Sequence, residues 1–240
     1  MLILAFDTTS EIGGVGIFRD AERLAWVPSD GPANRYSIIL FEMVQQALDR
    51  AHLGLREIDL YAAANGPGSF TGIRVGLAAA RAWGKAFDRR VRGVSVLEAM
   101  VGKVPLTSDW VFPILDARRG EFFLGTFRRK PSDALSITQP DYEPADGGWV
   151  LKPESLRTFV EERVANGASA TCLVRAHDQA AADLRSTLPT SLNWQQVEGA
   201  LVDSIASIAL REEQSSQPCL DANLDAYYIR RPDAEINWKD

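Results

Sequence analysis

Histidine is almost missing from this chain: His52 and His177 are the only two in 240 residues. Catalytic metal sites built on histidine need at least two ligands close in space, often at i and i+4 of a helix. These two stand far apart with no acid at ligand spacing beside them, so neither a zinc nor an iron centre is expected. The same scarcity weighs against a Ser-His-Asp triad. A Gly-x-Ser-x-Gly elbow is lacking too, because Gly66-Pro67-Gly68-Ser69-Phe70 puts Phe where the last Gly belongs. Peptidase or hydrolase chemistry is therefore disfavoured. Cys172 and Cys219 allow one bridge at most, which is no disulfide framework. No apolar run approaches the roughly 18 residues that cross a bilayer. The start, Met1 to Asp7, has no basic segment, long apolar stretch or cleavage site. These absences together predict a cytoplasmic protein in a reducing compartment, without membrane contact.

Excess positive charge is absent as well. The formal net charge is -6, which disfavours a broad surface for nucleic acid. Arg89, Arg90 and Arg92 cluster, as do Arg118 and Arg119, and each cluster reads as a solvated turn.

What the chain does have is an α/β alternation. Leu2–Asp7, Val15–Phe18 and Leu24–Val27 read as a strand meander, followed by a helix over Tyr36–Ala51. Ile58–Ala64 is a strand, Thr71–Ala86 a second helix and Val91–Val94 a strand, with Ser95 capping a short helix to Val101. Lys103–Asp109 looks like a linker. The meander is then echoed by strands at Val111–Leu115 and Phe122–Phe127 around Asp116-Ala117-Arg118-Arg119-Gly120-Glu121. Arg128–Gly148 reads as loop. Pro153–Ala165, His177–Ser186 and Val202–Glu213 read as helices, and Thr171–Val174 as a strand. This divides the chain into two related α/β halves, an N-terminal lobe over 1–105 and a C-terminal lobe over 106–240. The tail from Ala226 could pack back on the first lobe.

Both long helices have unusual faces. In the first, one stripe is Ile38, Phe41, Val44, Leu48 and Ala51, and beside it lies a second of Tyr36, Leu40, Met43 and Ala47. Together they cover roughly 200° of the circumference, against about 100° for an ordinary surface helix, so cover is expected on two sides. In the second helix Gly72, Gly76, Ala80 and Gly84 recur every four residues and strip bulk from one ridge. Such a ridge admits an unusually close neighbour, either a partner's helix or the chain's own sheet.

Three segments could carry chemistry. Asp7-Thr8-Thr9-Ser10 ends the first strand, where a carboxylate can hold a hydrated cation and hydroxyls can meet phosphate. A plain hydroxyl-rich turn is the other reading. Asn65-Gly66-Pro67-Gly68-Ser69-Phe70-Thr71-Gly72 feeds a helix N-terminus, a geometry that suits an anion or a closely approaching backbone. It is not a Walker loop, since no Lys follows Gly72. Asp116 with Arg118 and Arg119 is either a second phosphate turn or the tip of a hairpin.

Asp7-Thr8-Thr9-Ser10, Gly66-Pro67-Gly68-Ser69-Phe70-Thr71-Gly72-Ile73-Arg74-Val75-Gly76 and Asp116-Ala117-Arg118-Arg119-Gly120-Glu121 resemble the three signature segments of the TsaB (YeaZ) family. Ala226-Tyr227-Tyr228-Ile229-Arg230 is similar to its C-terminal motif. The resemblance implies an actin-like, hexokinase-like ATPase fold (ASKHA) of two related lobes with mixed sheets. It implies a non-catalytic partner, without cofactor or metal of its own, for the TsaD-type transferase. That enzyme places threonylcarbamoyl on the tRNA adenosine beside the anticodon. A TsaE-type ATPase joins the complex, ATP or ADP binding belongs to the complex, tRNA is met mainly through it, and the family member alone tends to homodimerise.

On this resemblance the partner interface is expected at Tyr36, Leu40, Met43, Ala47, Gly72, Gly76, Ala80 and Gly84. A degenerate nucleotide site is expected at Asp7, Thr8, Thr9, Gly66, Gly68, Asp116 and Arg118. Tyr36-Ser37 departs from the His-Ser pair usual in the family at the start of the first helix. The alternative function is a small actin-like kinase using Asp7 and Asp116 around Mg-ATP.

Overall fold

Two sheets with one strand plan organise the computed structural model, which describes residues 1–29, 35–130, 142–215 and 229. The motif at 226–230 therefore lies, except for Ile229, outside the described residues. In the first unit β1 (Leu2–Asp7), β2 (Gly13–Arg19) and β3 (Glu22–Ser29) form the meander, and α1 (Tyr36–Ala51) follows. Then come β4 (Leu60–Gly66), α2 (Phe70–Phe87), β5 (Arg90–Ser95) and α3 (Val96–Val101). The sheet order is β3-β2-β1-β4-β5, antiparallel across the first three strands and parallel from β1 to β5.

The second unit repeats this plan. It holds β6 (Trp110–Asp116), β7 (Phe122–Leu124), β8 (Phe127–Arg129), β9 (Tyr142–Pro144), β10 (Trp149–Leu151) and α4 (Pro153–Val164). It continues with β11 (Ala170–Arg175), α5 (Gln179–Asp183) and β12 (Asn193–Val197). Its order is β10-β7-β6-β11-β12, again antiparallel, antiparallel, parallel, parallel, with β8 and β9 paired off the path. Two sheets of identical order and polarity are the duplicated α/β architecture of the actin-like, hexokinase-like ATPase fold.

The last helix, α6 (Val202–Gln214), belongs to the first unit, which comprises Met1–Ala99 and the segment from Gly199. A division at residue 105 assigns this helix to the wrong half. The reason is a sheet face in need of cover. Leu4 and Phe6 of β1 point into the cluster formed with α1 and α2. Alternation sends Ile3 and Ala5 to the opposite face. Gly16, paired with Ala5, packs there against Val202. Buried Val202, Ile205, Ala206, Ile208 and Ala209 supply the apolar stripe of α6.

Arg128–Gly148 is not one loop, because β8 and β9 flank residues outside the described set. Three-residue strands such as β10 carry too little pattern to be read from sequence. The second core gathers Phe112, Ile114, Leu124, Leu156, Val160, Cys172 and Val174. Burial pushes the Cys172 thiol up to about 12, so it behaves as a small apolar filler. Among the described residues no helix is long and apolar enough to cross a membrane.

Candidate functional site

The glycine-rich segment after β4 is explained by what it touches. Ser69 N–H donates to the Thr9 carbonyl at 2.7 Å, and Ser69 Oγ accepts from Gly72 N–H at 3.2 Å, capping α2. The Thr8 hydroxyl donates to the Gly72 carbonyl at 2.7 Å. A Cβ on Gly68 would stand 2.6 Å from the Thr9 carbonyl oxygen, and one on Gly72 would collide with that of Thr8. Gly76 leaves only 2.5 Å between such an atom and Thr8 Oγ1, and Gly84 lies against Val91. Gly66 takes a positive φ of 114°. The ridge is thus the seat of α2 on the chain's own β1 turn and β5.

The Asp7 turn is built into that contact. Asp7, Thr8 and Thr9 are buried. Asp7 Oδ1 accepts from Thr9 N–H at 2.9 Å and from Thr9 Oγ1 at 2.6 Å, while its buried Oδ2 has no hydrogen-bond partner. Asp7, Thr8, Thr9, Gly66 and Gly68 therefore come together, but as a packed turn whose polar groups are largely spent on one another.

Asp116 and Arg118 belong to the other unit. There Asp116 Oδ1 accepts from Arg118 N–H at 2.7 Å, and its own N–H donates to Asp178 Oδ2 at 2.8 Å. Arg118, Arg119 and Gly120 take left-handed φ values of 65°, 59° and 71° at the tip of the β6–β7 hairpin.

The expected interface residues require a correction. Tyr36, Leu40, Met43 and Ala47 are buried in the cluster with Phe6, Val15 and Ile17, and Ala80 is wholly buried. The Tyr36 hydroxyl presses on Gly13 beside the Asp7 carbonyl. None of these side chains, nor the glycine ridge, is on offer to another subunit. A 200° apolar arc cannot say which half faces inward; the sheet takes the Tyr36 half.

The surface left over lies on the same two helices. Ile38 is 79% exposed and Phe41 61% exposed on α1, and Phe70 is 43% exposed at the start of α2. Phe41 packs edge-on against Trp83 with centroids 5.6 Å apart, and Trp83 meets Phe6 and Tyr61 at 5.9 Å each. Phe41 therefore stands on an aromatic column reaching into the core. Tyr61 closes that column: its hydroxyl donates to the Leu55 carbonyl at 2.8 Å, and burial, opposed by Arg89, pushes the phenol up to about 12. Ile38, Phe41 and Phe70 thus leave large apolar groups in solvent on these two helices. Only the split of the first stripe could have signalled this from sequence, since Val44 and Leu48 are buried whereas Ile38 and Phe41 are not.

Comparison with known proteins shows what the chain is similar to. The family model "TsaD: tRNA N6-adenosine threonylcarbamoyltransferase" matches residues 27–143. The tRNA threonylcarbamoyladenosine biosynthesis protein TsaB of Bacillus subtilis is 27% identical over 62% of this chain and 65% of its own length. The protein of the same name from Escherichia coli is 30% identical over 68% of this chain and 66% of its own length. These matches support the TsaB (YeaZ) family for this chain. The chain spans just under two thirds of the length of these two members. YeaZ from Pseudomonas aeruginosa shares the fold, with a TM-score of 0.67 at 22% identity, covering 90% of this chain and 93% of that one.

Proposed function

We propose that this TsaB-family chain is a non-catalytic partner subunit required by a TsaD-type transferase that makes threonylcarbamoyladenosine in tRNA. The observation that carries the proposal is the exposed pair Ile38 and Phe41, of which Phe41 rests on the core residue Trp83. Burying two such side chains is worth roughly 1.5–3 kcal/mol each, enough to anchor an interface once a matching face is supplied. The residue inventory agrees: neither His52, which caps the end of α1, nor His177 has a second histidine nearby in sequence to make a metal pair.

The kinase alternative finds less support. Asp7, its intended magnesium ligand, is fully buried and half committed to Thr9. Reconstitution separates the readings. The purified chain alone should modify no tRNA, and should restore modification when added to its cognate TsaD-type and TsaE-type proteins with threonylcarbamoyl-adenylate. Transfer by the chain alone, or phosphoryl transfer from Mg-ATP to a small substrate, would reject the proposal.

A further inference from the structure

The outward face of α2 says more about the partner than that it is apolar. Between Phe70 and Phe87 there is no Asp or Glu, in a chain whose net charge is -6. The exposed or half-exposed positions there are Phe70, Thr71, Arg74, Val75, Ala78, Arg81, Ala82, Lys85, Ala86 and Phe87. At 100° per residue, Val75, Ala78, Ala82 and Ala86 share an arc of about 80° beside buried Ala79 and Trp83. Trp83 carries Phe41, so this low, small-residue strip runs along the α1 side of the helix. Arg81, Arg74 and Lys85 fall on the next arc, roughly 40° wide, at the side away from α1. Arg74 lays its guanidinium 3.7 Å from the centroid of Phe70.

We propose that the occupant of the α1–α2 surface is a protein face whose apolar centre is bordered by carboxylates set against Arg81, Lys85 and Arg74. The inference rests on the partner-subunit reading and names the chemistry of the partner. A protein fits better than RNA, because the centre is Ile38, Phe41 and alanines, and the Phe70 ring is already covered by Arg74. It also fits better than a second copy. A two-fold contact repeats these cations on both sides, while the acids α1 could offer, Glu42 and Asp49, already accept hydrogen bonds from Gln46 and Gln45. Opposed charges at a rim set register and speed encounter, and salt screens them.

The test is calorimetric titration of the chain with its cognate TsaD-type subunit at low and high salt. Three forms are compared: wild type, Arg81→Glu/Lys85→Glu and Phe41→Ser. The charge-reversed form should bind about tenfold or more weakly at low salt and lose the salt dependence of wild type, while Arg81→Lys/Lys85→Arg keeps both. If Phe41→Ser breaks the complex but charge reversal leaves affinity and salt dependence unchanged, the partner reading stands and the acidic border is wrong. Failure of wild type to bind the subunit overturns both. Sedimentation showing a homodimer broken by Phe41→Ser, with no binding to the subunit, assigns the face to a second copy. Retention of tRNA lost on charge reversal without any effect on subunit binding assigns it to RNA. Either result overturns the proposal.

Discussion

Thr8 and Gly72 are locked together: the Thr8 hydroxyl donates to the Gly72 carbonyl at 2.7 Å, and the Thr8 carbonyl occupies the space of a Gly72 Cβ. The signature Gly-Pro-Gly-Ser-Phe-Thr-Gly segment is therefore a fold-building device first. It lets α2 settle on the turn after β1, and that seating fixes which helix face turns outward.

Replacing Gly72 or Gly76 by Ala should destabilise folding. Alanine brings roughly 1 kcal/mol of helix propensity, but overpacking of about 1–3 kcal/mol opposes it. Here the obstacles are a backbone carbonyl and the Thr8 hydroxyl, so the loss should win. Gly147→Ala, where a Cβ meets open space, is the matched control. Denaturant midpoints decide: equal midpoints for all three variants would show that the close approach does not matter.

The α6 helix is held by a buried ion pair. Arg92 Nε and Glu213 Oε1 are 2.7 Å apart with both side chains 3% exposed. Arg92→Met leaves the Glu213 carboxylate to the exposed Arg90 alone and should cost up to about 3–5 kcal/mol, whereas Arg92→Met with Glu213→Leu should cost clearly less. Equal losses in urea unfolding would mean that the pair is not what couples α6 to β5.

Glu212 sits beside that pair with its carboxyl raised, chiefly by burial and further by Glu213, against the pull of Arg92 and Arg211. A carboxyl raised in the folded state contributes stability below its unfolded value and loses it as pH rises through the folded one. At neutral pH the burial of Glu212 thus opposes folding. Glu212→Gln should raise the Tm at pH 7 and change it little at pH 4. A lower Tm at pH 7 would contradict this.

Much of the fold was legible because long periodic segments leave little choice. Tyr36–Ala51 is helical over its full predicted span, and the meander and its echo are the two sheets' antiparallel halves. The second half of the echo was harder to read, since β10 and β12 are short and end on polar residues or edges. At the site, the signatures pointed to the TsaB (YeaZ) family and to α1 and α2, but the residues named there as an interface are buried. Spacing shows that Gly72, Gly76, Ala80 and Gly84 share a ridge, not what lies on it. Only the placement of β1 and β5 beneath α2 shows that the ridge is already filled. Likewise the placement of α6 depends on which sheet face lacks a cover, a long-range fact that its own thirteen residues do not contain.

The central claim is that Ile38 and Phe41 serve a partner rather than the fold. Measure the Ile38→Ser/Phe41→Ser form twice: by thermal unfolding, and by binding to the cognate TsaD-type subunit with tRNA modification as the readout. The account predicts an unfolding midpoint within a few degrees of wild type together with loss of the complex and of restored modification. An intact complex and undiminished modification with this double variant would contradict it.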